Sequence, residues 1–134
     1  MNVQHVPLEW VQATWPRVEH FIEQGLAGVS DEYTAAELRT LVSAGQMVLL
    51  VAANGTDLYG AAVVQLFNRP RQRVAFVVVI GGRLISSPET FSQLKALLSS
   101  FGATVLEGAA SASVARLWTR YGFTEKYRIV GVEL

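Results

Sequence analysis

The chain has 134 residues, about half of them apolar, and equal numbers of acidic and basic side chains. That length fits one domain, residues 1–134, with enough apolar material for a packed core. Zero formal net charge argues against a general nucleic-acid or acidic-membrane binder. The absence of cysteine removes disulfides, a thiolate nucleophile and zinc–thiolate sites. No apolar run is long enough to span a membrane, and the opening MNVQHVPLEW lacks the basic-then-apolar pattern of a signal peptide.

In chain order, Val3–Val6 reads as a weak first strand. From Leu8 to Leu26, Val11, Trp15, Val18, Ile22 and Leu26 share one helical face. Pro16 interrupts this helix and predicts a kink, or two short helices with Pro16 opening the second. Gly25 and Gly28 loosen the exit. Thr34 and Glu37 have capping-box spacing for the next helix, with Ala35, Leu38 and Leu41/Val42 facing inward and Gly45 ending it.

Three strands follow: Gln46–Ala53, Leu58–Phe67 and Arg73–Ile80. Asn54-Gly55 predicts a tight hairpin with positive φ, and 68–72 a second turn. The third strand has an apolar run without polar alternation, the signature of burial on both faces, so it is expected as the middle strand between Leu58–Phe67 and Ala103–Glu107. Gly81-Gly82 should break it. Ser87, Pro88 and Glu89 then read as N-cap, N1 and N2 of a helix with Phe91, Leu94, Leu97/Leu98 and Phe101 inside and Gly102 after its end. A strand, a helix and the strand Ala103–Glu107, with no short hairpin between, make a parallel crossover.

The last quarter is a short amphipathic helix within Ser111–Phe123. Val114, Leu117, Trp118 and Tyr121 occupy its apolar face, and Gly122 stops it. The closing TEKYRIVGVEL reads as a strand. Ser111, Val114, Leu117-Trp118 and Gly122-Phe123 resemble the last motif of the GNAT family of N-acetyltransferases, where Asn, a small residue, Leu-Tyr and Gly-Phe stand at the same spacing. The resemblance implies an α/β (α+β) fold: a central mixed sheet, an antiparallel meander followed by a parallel βαβ crossover, and helices on both faces.

It also implies where chemistry should lie. The family binds the acyl-CoA pyrophosphate on the loop after the central strand, here Gly81, Gly82, Arg83 and onward to Thr90, and holds the pantetheine arm at the place of Ser111. Free N–H groups and the helix dipole attract an anion at such a loop. Here Pro88 removes a donor and Glu89 adds a carboxylate. Glu107, at a strand end, is the carboxylate placed to act as general base. Tyr121 is the candidate proton donor, because Trp118 stands where the family has Tyr and an indole N–H does not titrate usefully.

His5 and His20 are isolated and unsuited to a metal site. Arg69, Arg71 and Arg73 form a basic cluster that reads as a solvated, edge-protecting turn. Trp10 and Trp15 suit either core or interface.

Within the broad family the chain is most similar to small GNAT-like proteins of tailed bacteriophages, which share the Trp-containing opening helix EWVQATWPRV, a Thr-Ala-x-Glu-Leu-like second helix and a Gly-Phe ending. That resemblance implies degenerate acyl-CoA and catalytic motifs, no required cofactor, and a structural, virion-assembly or host-interaction role. Its expected partner is protein, such as other phage virion proteins, and its expected location the virion or host cytoplasm. The alternative is an active acetyl-CoA-dependent N-acetyltransferase acting on an amine.

Overall fold

A computed structural model describes residues 1–28 and 31–134. Five strands form one mixed sheet in the order of the chain: β1 (Asn2–His5), β2 (Val48–Asn54), β3 (Asp57–Arg69), β4 (Gln72–Gly82) and β5 (Val105–Gly108). Neighbours from β1 to β4 run antiparallel, and β5 runs parallel to β4. The parallel step requires a crossover, supplied by α3 (Pro88–Ser100). The other helices are α1 (Val11–Ala27), α2 (Ala35–Ser43) and α4 (Ala112–Thr119).

Both faces of the sheet are covered, and the central stretches 49–53, 61–64 and 74–79 of its inner strands are accordingly apolar. On one face Val11, Trp15, Val18 and Ile22 of α1, with Leu38 and Val42 of α2, pack on Leu49, Val51, Ala61, Val63 and Val79. On the other, Phe91, Leu94 and Leu98 of α3, with Trp118 of α4, pack on Leu50, Ala52, Ala62, Val64, Ala75 and Val77. Full burial of each such side chain stabilises the fold by about 1.5–3 kcal/mol.

Several expectations need correction. The strand β4 lies between β3 and β5 as expected, but β3 is the middle of the five. The opening helix is not split at Pro16: a single 3-10 turn, Leu8–Trp10, leads into the continuous α1. The pair Gly81-Gly82 continues β4, opposite Ala61 and Gly60. The first hairpin turns one residue later than expected. Asn54 pairs with Asp57, and only Gly55 takes a positive φ, of 64°. Leu117 faces outward, 44% exposed, whereas Trp118 is 5% exposed. The closing segment forms no strand: residues 124–134 pair with none of the described strands.

Candidate functional site

The strands β4 and β5 share only four residue pairs, from Val74–Val105 to Val77–Gly108. Beyond them the two strands part. The register between β3 and β4 also shifts at this point: Val64 faces Val77 and Val63 faces Val79, which leaves Val78 as an extra residue. A bulge bends its strand and re-aims the side chains beyond it. Here it puts Val77 and Val79 in opposite cores. The edge of β4 from Val78 to Gly82 therefore opens onto a cleft of about 300 Å³.

Three elements wall that cleft: Gln24, Gly25 and Gly28 from α1 and its end, the β4 stretch from Val77 to Gly82, and Ala109, Ala110, Ser111, Val114, Leu117 and Trp118 at α4. Gly25 brings the first wall close, since a Cβ there would lie 2.5 Å from the Ile80 carbonyl oxygen. Gly81 does the same against the backbone of Phe21. The indole of Trp118 sits so near Gly108 that a Cβ on Gly108 would meet it at 2.9 Å. A wider depression near Glu23, Leu26 and Tyr33 lies open to solvent, away from the parting strands.

The cleft brings together Gly81, Gly82 and Ser111 from the expected site, but not Arg83, Glu107 or Tyr121. Ser111 is the N-cap of α4: its Oγ accepts from the Val114 N–H at 3.4 Å and lies 3.2 Å from the Ser113 hydroxyl. Arg83 is exposed, and its amide donates to the Tyr59 carbonyl at 2.8 Å. Tyr121 packs its ring on Phe91, centroids 5.1 Å apart.

Glu107 receives two hydrogen bonds from the Arg69 guanidinium, at 2.6 and 2.9 Å, and one from Lys126 Nζ at 2.6 Å. The Arg69 hydrogen bond, helped by Lys126, holds its carboxyl at about 2, well below the ordinary 4.5. A base so acidic takes up a proton poorly at neutral pH. The arginine cluster is likewise more than a solvated turn, because Arg73 also donates to the Phe101 carbonyl at 3.0 Å and to Asn68 at 3.1 Å.

At the N-terminus of α3 all but one of the backbone donors are already engaged among the described residues. The amides of Ser86 and Ser87 both donate to Thr90 Oγ1 at 3.2 Å, and the Thr90 amide donates to Ser87 Oγ at 3.2 Å. The Phe91 amide donates to the Ser87 carbonyl at 3.1 Å. Pro88 has no N–H, which leaves Glu89 as the one amide of this turn without a partner among the described residues.

The cleft walls carry no titratable side chain among the described residues; Gln24, Ser111 and the Trp118 indole are their polar side chains. No group of three or more His, Asp or Glu that could hold a metal occurs among the described residues. The sequence reading missed Gln24 and Gly25. A glycine inside an otherwise regular helix was the available sign of a close backbone approach.

Comparison with solved structures settles the architecture. The chain matches an aminoglycoside antibiotic 6'-N-acetyltransferase from Acinetobacter haemolyticus with a TM-score of 0.69, covering 100% of this chain and 98% of that one at 14% identity. The fold is that of the GNAT acetyltransferases. A ribosomal-protein-alanine N-acetyltransferase from Brucella melitensis biovar Abortus gives the same TM-score, 0.69, at 10% identity and full coverage of both chains. Glucosamine-6-phosphate N-acetyltransferase from Arabidopsis thaliana gives 0.61 at 12% identity, over 98% of this chain and 97% of its own. The sequence matches no family profile. Over 84 residues, 60% of this chain, it is 38% identical to the electron transfer flavoprotein subunit alpha of Mycobacterium leprae. It spans only 26% of that relative's length. No helix among the described residues is long and apolar enough to cross a membrane.

Proposed function

We propose that this chain is a GNAT-fold protein with degenerate acyl-CoA and catalytic motifs, acting through protein contacts. One observation carries the reading: in the N-terminal turn of α3, which would receive a pyrophosphate, Ser87 and Thr90 take the amides of Ser86, Ser87 and Thr90, Pro88 has none, and the Glu89 amide alone is left among the described residues. Free amides and the helix dipole make a helix N-terminus bind anions. With one free amide remaining and the Glu89 carboxylate beside it, little attraction is left.

The cleft walls support the same reading, because an amine nucleophile needs a group to take its proton and those walls offer Gln24 and Ser111. The similarity of the opening helix to small phage GNAT-like proteins directs the proposal to virion assembly or host contact. Gene neighbourhood tests that half: a place among head or virion genes is expected, and a place far from any phage genes overturns it.

The second reading is an acetyl-CoA-dependent N-acetyltransferase. It is favoured by the bulge at Val78 and the unpaired edge of β4 beyond it, whose backbone groups can bond an extended amide chain. Titration calorimetry with acetyl-CoA separates the two. No binding at micromolar concentration is expected; binding there, with acetyl transfer to an amine, replaces the first reading with the second.

A further inference from the structure

The strand β1 lies at an edge of the sheet: β2 pairs with it on one side, and among the described residues no strand lies on the other. Such an edge presents free N–H and C=O groups to any further strand. Along an extended chain the groups of successive residues point to alternate sides. The Val6 amide donates inward, to the Leu49 carbonyl at 2.9 Å. The outward row therefore comes from Met1, Val3, His5 and Pro7.

That row is closed at both ends. At one end Gln93 reaches over from α3. Its Oε1 accepts from the Val3 amide at 2.8 Å, and its Nε2 donates to the Met1 carbonyl at 3.3 Å. One side-chain amide thus takes the acceptor and the donor that flank Asn2, the pair a further strand would bond there. At the other end Pro7 stays extended, with φ −56° and ψ 151°, but has no N–H. Its carbonyl already accepts from the Trp10 amide at 2.9 Å. Between these ends the Val3 carbonyl and the two backbone groups of His5 are left facing outward. Packing keeps Gln93 within reach: Val3 joins the core beneath α3, and the His5 ring meets Phe101 with centroids 5.1 Å apart.

We infer that Gln93 and Pro7 together guard the β1 edge against strand addition, with the Gln93 amide standing in for a neighbouring strand. Proline and a covering element are two ways in which sheets avoid edge-to-edge pairing. Here they act on the two ends of one short strand, and too few groups remain in a row to hold an incoming chain. The occupant kept out is a second copy of this protein, because every copy carries the same edge and two such edges would pair about a two-fold axis. The inference does not depend on whether the cleft binds acyl-CoA.

Hydrogen exchange and sedimentation test it. In the full-length wild type, after correction for intrinsic rates, the Val3 amide should exchange about tenfold more slowly than the His5 amide, the factor that one hydrogen bond of ordinary net strength gives. Gln93→Ala should remove that difference. The double variant Pro7→Ala/Gln93→Ala reopens the whole row and should associate as its concentration is raised, whereas the wild type and the neighbouring control Ser92→Ala should sediment alike and show no such rise. Adding Val3→Pro to the double variant deletes an outward N–H and no inward one, and should abolish the association. Equal exchange at Val3 and His5 in the wild type overturns the inference even where the variants fail to fold. A folded double variant that sediments like the wild type, or an association that survives Val3→Pro, overturns it as well.

Discussion

Arg69 and Glu107 meet in a two-point ion pair, Nη1 to Oε2 at 2.6 Å and Nη2 to Oε1 at 2.9 Å, that joins the end of β3 to β5 across the strand between them. The Glu107 side chain is only 11% exposed. Charge-assisted, bidentate bonds of this kind are the strong ones, and they hold the carboxylate in place structurally.

The first prediction follows from acidity. The folded-state value of Glu107 is about 2, below its ordinary 4.5. A carboxyl whose value is depressed in the folded state stabilises that state above its unfolded value and loses this contribution as pH falls through the folded one. The stabilisation should therefore be complete near neutrality and fade between about pH 4.5 and 2. Because its partners touch solvent, about 1–2 kcal/mol is expected from it. Glu107→Gln should lower the melting temperature at pH 7 and flatten the acid limb of the stability curve, as checked by thermal melts across pH. Equal melting of both proteins at pH 7 would show that the pair contributes nothing.

The second prediction sets two effects of Gly25→Ala against each other. Alanine improves helix propensity by about 1 kcal/mol. Its Cβ would also lie 2.5 Å from both the Ile80 oxygen and a Val79 methyl. Overpacking against backbone costs about 1–3 kcal/mol, and backbone does not yield as a flexible side chain does. The clash should win, and chemical denaturation should report net destabilisation. Gly28→Ala is the control, since nothing lies within 4 Å of its added methyl.

What was legible in the sequence was local. Thr34 and Glu37 form their capping box, with bonds of 2.8 and 3.1 Å, because both partners lie within one turn. The N-cap at Ser87 and the positive φ of Gly102 and Gly122 were readable for the same reason. Periodicity gave α4 an apolar face but not its neighbours, so Leu117 was expected inside and instead lies at the cleft rim. The apolar residues of TEKYRIVGVEL suggested a strand, but a strand exists only when a partner is present to bond it. Glu107 looked available because its partners, Arg69 and Lys126, are 38 and 19 residues away.

A third prediction concerns Trp118. Its ring packs on Phe123, with centroids 5.1 Å apart, and fills the space above Gly108. Trp118→Ala should cost about 3–5 kcal/mol through the cavity it leaves. Trp118→Tyr should fold with a smaller loss and acquire no acetyl transfer, because a phenol alone does not supply the missing proton acceptor. Stability and an acetylation assay on the same preparations check both parts. Acetylation appearing in Trp118→Tyr would mean that proton donation alone had been missing.

The last prediction opens the N-terminal turn of α3. Thr90 is 3% exposed, and its hydroxyl oxygen takes the amides of Ser86 and Ser87; Pro88 supplies no donor and Glu89 adds a charge. The triple variant Pro88→Gly/Glu89→Gly/Thr90→Ala frees those two amides, restores a third and removes the carboxylate. Its stability should fall, since losing a capping interaction alone costs about 1 kcal/mol and two added glycines weaken the helix further. Acetyl-CoA affinity should move the other way. Removing even ~1.4 kcal/mol of repulsion raises affinity about tenfold, and freed amides at a helix N-terminus add attraction. Calorimetry should therefore show no acetyl-CoA binding by the wild type at micromolar concentration and measurable binding by the variant. Circular dichroism on the same samples separates a loss of fold from a failure to bind. A folded variant that binds no better than the wild type would mean that the cleft is closed to acyl-CoA for reasons beyond this turn. Tight binding by the wild type would show that the capping box yields to the pyrophosphate.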